Sequence, residues 1–126
     1  LDVFDEMRDA AMIGKLATGN AEAVAAASAV RMATSWGADA IGLPGGQLRE
    51  GGVADLAVID FDAPHLTPAH DYVSHLAYAA RGSDVRHTIC DGQFLMQDGA
   101  LQTLAEASIL DEAADAAVSL VDRATN

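Results

Sequence analysis

Lysine is nearly absent from this chain of 126 residues: Lys15 is the only one among seven basic side chains, which face 19 acidic ones for a formal net charge of −12. A surface so dominated by one sign repels a phosphate backbone, and nucleic acid drops out of the expected partners. Cysteine is as scarce. Cys90 stands alone, so it can neither close an internal disulfide nor build a cysteine zinc site, and a reducing cytoplasm fits it. No apolar run reaches the roughly 20 residues of a membrane helix, and no charged-then-apolar leader is present. The expectation is a soluble chain without membrane contact. Gly45, Gly46, Gly51 and Gly52 are not followed by Lys-Ser or Lys-Thr, nor by a helix start, which removes a phosphate loop and leaves turns.

With 51% hydrophobic residues, the chain can bury one modest core, as one domain or as part of a larger one. Its acidic residues are spread over helices and turns rather than run together. That distribution, with so little lysine, suits concentrated salt, where self-repulsion is screened, and implies a halophilic source. The chain opens on Leu1 rather than Met, and Leu1 to Arg8 is already amphipathic. A truncated start is expected from this.

Acids at Asp2, Asp5 and Glu6, Lys15 late and Gly19 at the end mark a first helix over Leu1 to Gly19, with Val3, Met7, Ala10 and Ala11 on its apolar face. The alanine-rich stretch from Glu22 to Ser35 predicts a second helix ended by Gly37, then a short turn over Ala38 to Leu43 before Pro44, Gly45 and Gly46. Leu56 to Ile59, set between Asp55 and Asp60, reads as the core of a buried strand over Ala54 to Asp60. Pro64 and Pro68 make Phe61 to Ala69 an ordered loop, and Val73, Leu76, Ala77 and Ala80 a short helix. Val85 to Cys90 and Gln93 to Gln97 flank Asp91 and Gly92, a strong hairpin signal, and Asp98 and Gly99 turn the chain again toward Leu101. Thr103 and Glu106 have capping-box spacing for a last helix through Ile109, Ala113, Leu120 and Val121. There is no internal repeat. Helices, then strands, a helix, strands and a helix make an α+β segment.

Several stretches are specific in combination. Gly46, Leu48, Gly51, Ala54, Asp55, Leu56 and Asp60 spell G-x-L-x-x-G-x-x-A-D-L-x-x-x-D, which resembles the strand-turn-strand re-entry into the small β domain of metal-dependent amidohydrolases. Asp62 to Ala80, read D-A-P-H-L-T-P-A-H-D-Y-V-S-H-L-A-Y-A-A, with Gly82, Asp84 and Val85, resembles the methylthioadenosine/S-adenosylhomocysteine deaminase branch, with triazine hydrolases as near relatives. Leu1, Asp2, Phe4, Glu6, Met7 and Arg8 match the stretch after the last barrel strand of that family, and Arg31 to Thr34 with Gly37 and Ala38 the next helical pair. Departures are Ser35 and Trp36, where the family has an aliphatic residue or Asn, and Ala77, where it has Val. They touch no known chemistry of the family and leave substrate preference within the branch open.

The resemblance implies an α/β parent, a (β/α)8 barrel with a small β-sandwich domain built from both chain ends. Residues 1–43 would be final barrel helices, 44–62 and 83–103 strands of the small β domain, 63–82 a loop and helix returning to the barrel, and 104–126 a C-terminal helix that is a candidate for a dimer contact in a homo-oligomer. It also implies a divalent metal, usually zinc, that lowers the pKa of bound water for attack on an amino-bearing aromatic carbon. The family's ligands are an H-x-H pair, two more histidines and an aspartate, with a glutamate moving protons. None maps onto this sequence, and that aspartate would lie a few residues before Leu1. The expected catalytic and metal-ligand residues within the chain are therefore none, and a substrate-binding residue is not identified.

His65, His70 and His75, with Asp62 and Asp71 nearby, are metal-ligand types. Their five-residue steps do not share a helical face, and hydrogen bonds that order the loop are the expectation. His87 is expected half-exposed or in a satisfied polar contact on its strand. Cys90 is expected as a small buried hydrophobe, Asp55 and Asp60 as turn and edge hydrogen-bond acceptors, and Arg8 and Arg81 as helix-end caps rather than anion binders. The function expected of the parent is metal-dependent hydrolytic deamination of an adenine-type nucleoside, with this segment as scaffold. The alternatives are a related amidohydrolase acting on a triazine, guanine or other N-heterocycle, and a non-catalytic α+β interaction module.

Overall fold

Asp2 accepts the Phe4 backbone N–H at 2.9 Å, satisfying one of the amides that a helix N-terminus leaves open. From that cap α1 runs Val3–Thr18 in the computed structural model, which describes residues 2–125. Asp5 and Glu6 lie in its first turn and Lys15 in its last, the signs the macrodipole favours. Gly19 closes it in the left-handed region at φ 65°, as expected. The expected start at Leu1 lies outside the described residues.

The second helix differs from its expectation at both ends. α2 spans Ala26–Ala33, because Lys15 Nζ donates to the carbonyls of Ala23 and Val24, both at 3.0 Å, and holds that stretch as a turn. At the other end Thr34 breaks the helix: its hydroxyl donates back to the Val30 carbonyl at 2.7 Å, the kind of local bond that competes with helix propagation. Gly37 does not end the helix. It lies inside α3, Ser35–Ile41, where a Cβ would sit 2.7 Å from the Met32 carbonyl oxygen, so its bare backbone permits the sharp bend between α2 and α3.

Between residues 44 and 62 the one strand among the described residues is β1, Leu56–Ile59, so the stretch around Leu48 is loop rather than a strand. β2 (Val85–Cys90), β3 (Gln93–Gln97) and β4 (Ala100–Leu101) complete an antiparallel sheet of order β1-β2-β3-β4. Leu56 faces Ile89 and Val58 faces His87, and a bulge between Val58 and Ile59 shifts the register so that Ile59 faces Val85. Asp91 (φ 48°) with Gly92 (φ 76°), and Asp98 (φ 49°) with Gly99 (φ 77°), make the two hairpin turns, both central residues taking the positive φ of a type I′ turn. The expected hairpins stand.

α4, Tyr72–Tyr78, leaves the sheet between β1 and β2 and returns across α1 and α2. The buried residues are Phe4, Met7 and Ala11 of α1, Ala29 of α2, Leu66, and Ala77 and Ala80 at the end of α4. Leu66 is the largest side chain wholly withdrawn from water among the described residues, and its burial contributes about 1.5–3 kcal/mol. It anchors the loop before α4. α5, Glu106–Thr125, starts with Ile109 N donating to Ala105 O at 3.1 Å. Glu106 is thus its first residue, and the capping box expected from Thr103 is not formed. No helix among the described residues is long and apolar enough to cross a membrane.

Candidate functional site

The histidine-bearing excursion between β1 and β2 is closed at its base by one residue. Asp60 N donates to the Asp84 carbonyl at 2.8 Å, while Asp84 Oδ2 accepts the Arg81 N–H at 2.9 Å and lies 2.9 Å from His65 Nε2. The Asp84 side chain is only 7% exposed. Partial burial pushes its carboxyl upward, but the His65 hydrogen bond, the Arg81 N–H and the charges of His65 and Arg81 outweigh that and hold it below the ordinary carboxylate value. His65 is therefore the partner of a carboxylate in a structural clasp. Nothing in the sequence reading had singled out Asp84 for that role; its spacing of 19 residues from His65 carries no local signal.

The other histidines go elsewhere. His75 Nδ1 donates to the Asp71 carbonyl at 2.9 Å, one turn back along α4. His70 is exposed. Asp71 caps α4, accepting from Val73 N at 3.0 Å and Ser74 Oγ at 2.8 Å, and these bonds, the Ser74 hydroxyl first, lower its pKa. Asp62 contributes its backbone N–H to Asp60 Oδ1 at 3.0 Å. Among the described residues no group of three or more His, Cys, Asp or Glu could hold a metal ion. The donors among the described residues do not gather to fit one, and the His65 and His75 imidazoles and the Asp71 carboxylate are used in ordering the loop.

On the sheet, His87 Nδ1 accepts the Asp98 N–H at 3.1 Å, with the ring edge-on to Phe94, the satisfied contact expected of it. Asp55 accepts the Asp91 N–H at 2.8 Å and so ties the first hairpin turn to β1. Asp60 and Asp98 share Arg86, at 3.1 and 3.2 Å. Cys90 corrects its expectation: it is exposed, at the end of β2. The charge of neighbouring Asp55, a hydrogen bond to it and the charge of Asp91 raise the thiol pKa, which lowers its thiolate fraction.

Arg8 caps a helix, as expected. Its Nε donates to Tyr78 O and its Nη2 to Ala80 O, both at 3.0 Å, covering the open carbonyls at the end of α4. Arg81 enters the clasp through its backbone N–H. Lys15 has a role beyond the dipole, since its ammonium also donates to the Tyr78 hydroxyl at 2.9 Å and joins α1, the turn before α2, and α4. Its being the only lysine was the available signal. Between α1, α2, β1 and α4 lies an apolar hollow of about 290 Å³, lined by Phe4, Met7, Val30, Ile59 and Leu76 among others. Thr34 is its one side chain with a polar group, so it offers a packing surface and no acid or base.

The model of the amidohydrolase family matches residues 1–95. The chain belongs to the amidohydrolase family. Over 98% of its length this amidohydrolase chain is 58% identical to a 5-methylthioadenosine/S-adenosylhomocysteine deaminase of Haloquadratum walsbyi and 61% identical to one of Halobacterium salinarum. It covers 28% and 29% of those proteins, so it spans under a third of the relatives it matches. A 5'-deoxyadenosine deaminase of Methanosarcina mazei is 48% identical over the same share of the chain. Among solved structures, a zinc-bound adenosine deaminase from Xanthomonas campestris superimposes with a TM-score of 0.86 at 32% identity, covering 89% of this chain and 26% of that one. A zinc complex of the atrazine chlorohydrolase of Arthrobacter aurescens gives 0.78 at 25% identity, over 86% of this chain and 25% of that one. The acidic, lysine-poor composition fits the haloarchaeal relatives. Of the departures from the family pattern, Trp36 lies under the Arg31 guanidinium at 5.2 Å, and Ala77 is wholly buried.

Proposed function

We propose that the chain is the C-terminal part of a hydrolytic deaminase that converts an adenine-type nucleoside, methylthioadenosine or S-adenosylhomocysteine, to its hypoxanthine counterpart with release of ammonia. The observation that carries this is the 58–61% identity to haloarchaeal deaminases of that description over 98% of the chain. In the whole protein a (β/α)8 barrel with a small β-sandwich domain would be completed by these elements: 1–43 as final barrel helices, 44–62 and 83–103 as the β-domain portions, 63–82 as the loop and helix between them, and 104–126 as the C-terminal helix. Exposed Met12, Ile13 and Leu16 on α1 support this, because apolar side chains left in water call for a further layer.

The divalent metal, zinc in this reading, would be held by residues outside the chain. That follows the zinc-bound neighbours and the lack of a fitting donor set among the described residues. A small-molecule substrate and a cytoplasmic location go with a nucleoside-salvage chemistry. The likeness to the atrazine chlorohydrolase supports the second reading, an amidohydrolase acting on a triazine or other N-heterocycle.

Incubating the full-length protein and zinc with methylthioadenosine, S-adenosylhomocysteine, 5'-deoxyadenosine and a triazine separates the two. Loss of the adenine absorbance in favour of hypoxanthine is the expected result. Turnover of the triazine alone would favour the second reading, and no turnover of any nucleoside would defeat the first.

A further inference from the structure

The two hairpin turns share a dipeptide and a conformation but not a chemical environment. Asp91 with Gly92 and Asp98 with Gly99 both take positive φ, and all four residues are exposed. In such a pair the backbone can fold back on the aspartate side chain, because glycine brings no Cβ to block the approach. The glycine nitrogen attacks the aspartate carboxyl carbon, the carboxyl hydroxyl and the amide proton leave as water, and a five-membered imide closes. Water then re-enters at either carbonyl. Entry at the former backbone carbonyl leaves the chain running through the side chain, an isoaspartate whose main chain is longer by one carbon.

Closure requires the carboxyl to swing onto the glycine nitrogen. Asp98 is held away from it: its Oδ1 lies 3.2 Å from Arg86 Nε and 4.0 Å from His87 Nε2, and reaction there gives up an ion pair. Asp91 gives up nothing comparable. Among the described residues no hydrogen bond or ion pair holds its carboxylate; its bond to Asp55 is made by its backbone N–H, a group the reaction leaves untouched. The two nucleophiles are matched. Gly92 N–H donates to Ala54 O at 3.1 Å and Gly99 N–H to Arg86 O at 3.0 Å, so each turn opens locally before it reacts. The carboxylate decides between them.

We propose that Asp91 is a site of spontaneous covalent modification, converting to isoaspartate through an imide with Gly92, and that Arg86 protects Asp98 from the same reaction. The lengthened turn no longer matches the pairing of Cys90 with Gln93, a register that a two-residue turn sets. The β2–β3 hairpin loosens at its tip.

Ageing the full-length protein in heavy-oxygen water, in warm and mildly acidic buffer, tests it. Each passage through the imide places a solvent oxygen in the residue, whichever way the ring reopens. Mass spectrometry of fragments that separate Asp91 from Asp98 reads the label, and a protease that cleaves only at normal aspartate reads the isoaspartate. Label should enter Asp91 about fivefold faster than Asp98, the weight of one exposed ion pair. Arg86→Gln should bring Asp98 up to the Asp91 rate, and Asp91→Glu, whose imide ring would be six-membered and slow to close, should remove the label from the first turn. In the urea-unfolded chain the two sites should label alike. Equal rates in the folded protein, a faster Asp98 or label at neither turn would overturn the proposal, as would a difference that persists in urea. None of these measurements depends on turnover, so an inactive protein labelled at Asp91 would defeat the proposed function and keep this inference.

Discussion

Asp84 Oδ2 lies between the Arg81 N–H and the His65 ring, and the clasp it makes gives the first prediction at the residue scale. Asp84→Ala removes the acceptor from two donors and should lower stability by about 1–2 kcal/mol, discounted for the partial exposure of His65. Urea denaturation of the full-length protein checks it. The same residue sets an acid limb. Its folded pKa is lowered, so its stabilisation is fully present above the unfolded carboxylate value and is lost as pH falls through the lower folded one. Asp71 and Asp2 act in the same direction, Asp71 chiefly through the Ser74 hydroxyl and Asp2 chiefly through the Gly82 N–H. Asp84→Asn should therefore flatten the loss of stability on acidification below about pH 4, measured as melting temperature against pH. Lys15→Met should cost about 1–2 kcal/mol, because it leaves the carbonyls of Ala23 and Val24 and the Tyr78 hydroxyl without their donor, and thermal denaturation reads the loss.

At the scale of elements, what was legible is what local chemistry decides. Asp2 and Gly19 bound α1, and two Asp-Gly pairs made the hairpins, because a cap or a positive-φ turn depends on few neighbours. Elements decided by distant groups were not legible. Lys15 reaches forward eight and nine residues to shorten α2; the Thr34 break is local, but a threonine hydroxyl bonding back one turn also occurs in unbroken helices and so gives no signal. The candidate site shows the same division: that His65, His70 and His75 do not share a face could be read from their spacing, while the Asp84 partner of His65 could not. Gly46 links a motif residue to a packing need. It sits at φ 69°, and a Cβ there would lie 2.7 Å from the backbone of Thr34 and Ser35. Gly46→Ala should cost at least about 2 kcal/mol from strain and overlap, seen as a lowered melting temperature, whereas Gly45→Ala meets no atom and carries the backbone strain alone.

For the whole molecule, charge and exposed apolar surface set the behaviour. With a net charge of −12, self-repulsion should weaken the fold in dilute buffer, and the unfolding midpoint should rise from low to molar KCl; a midpoint indifferent to salt would remove the link to a saline cell interior. Residues 1–126 expressed alone should be poorly soluble or associate, since Leu16, Ile41, Leu48, Leu110 and Leu120 are exposed and would meet one another between copies. A monomer that unfolds cooperatively would contradict that. In the proposed function this segment is part of a nucleoside deaminase whose chemistry resides in the rest of the protein. The most direct measurement follows the adenine-to-hypoxanthine absorbance change when full-length protein meets methylthioadenosine, first with zinc and then after chelation. Turnover that chelation abolishes and zinc restores is the expected result; absence of turnover with zinc bound would contradict the proposed function.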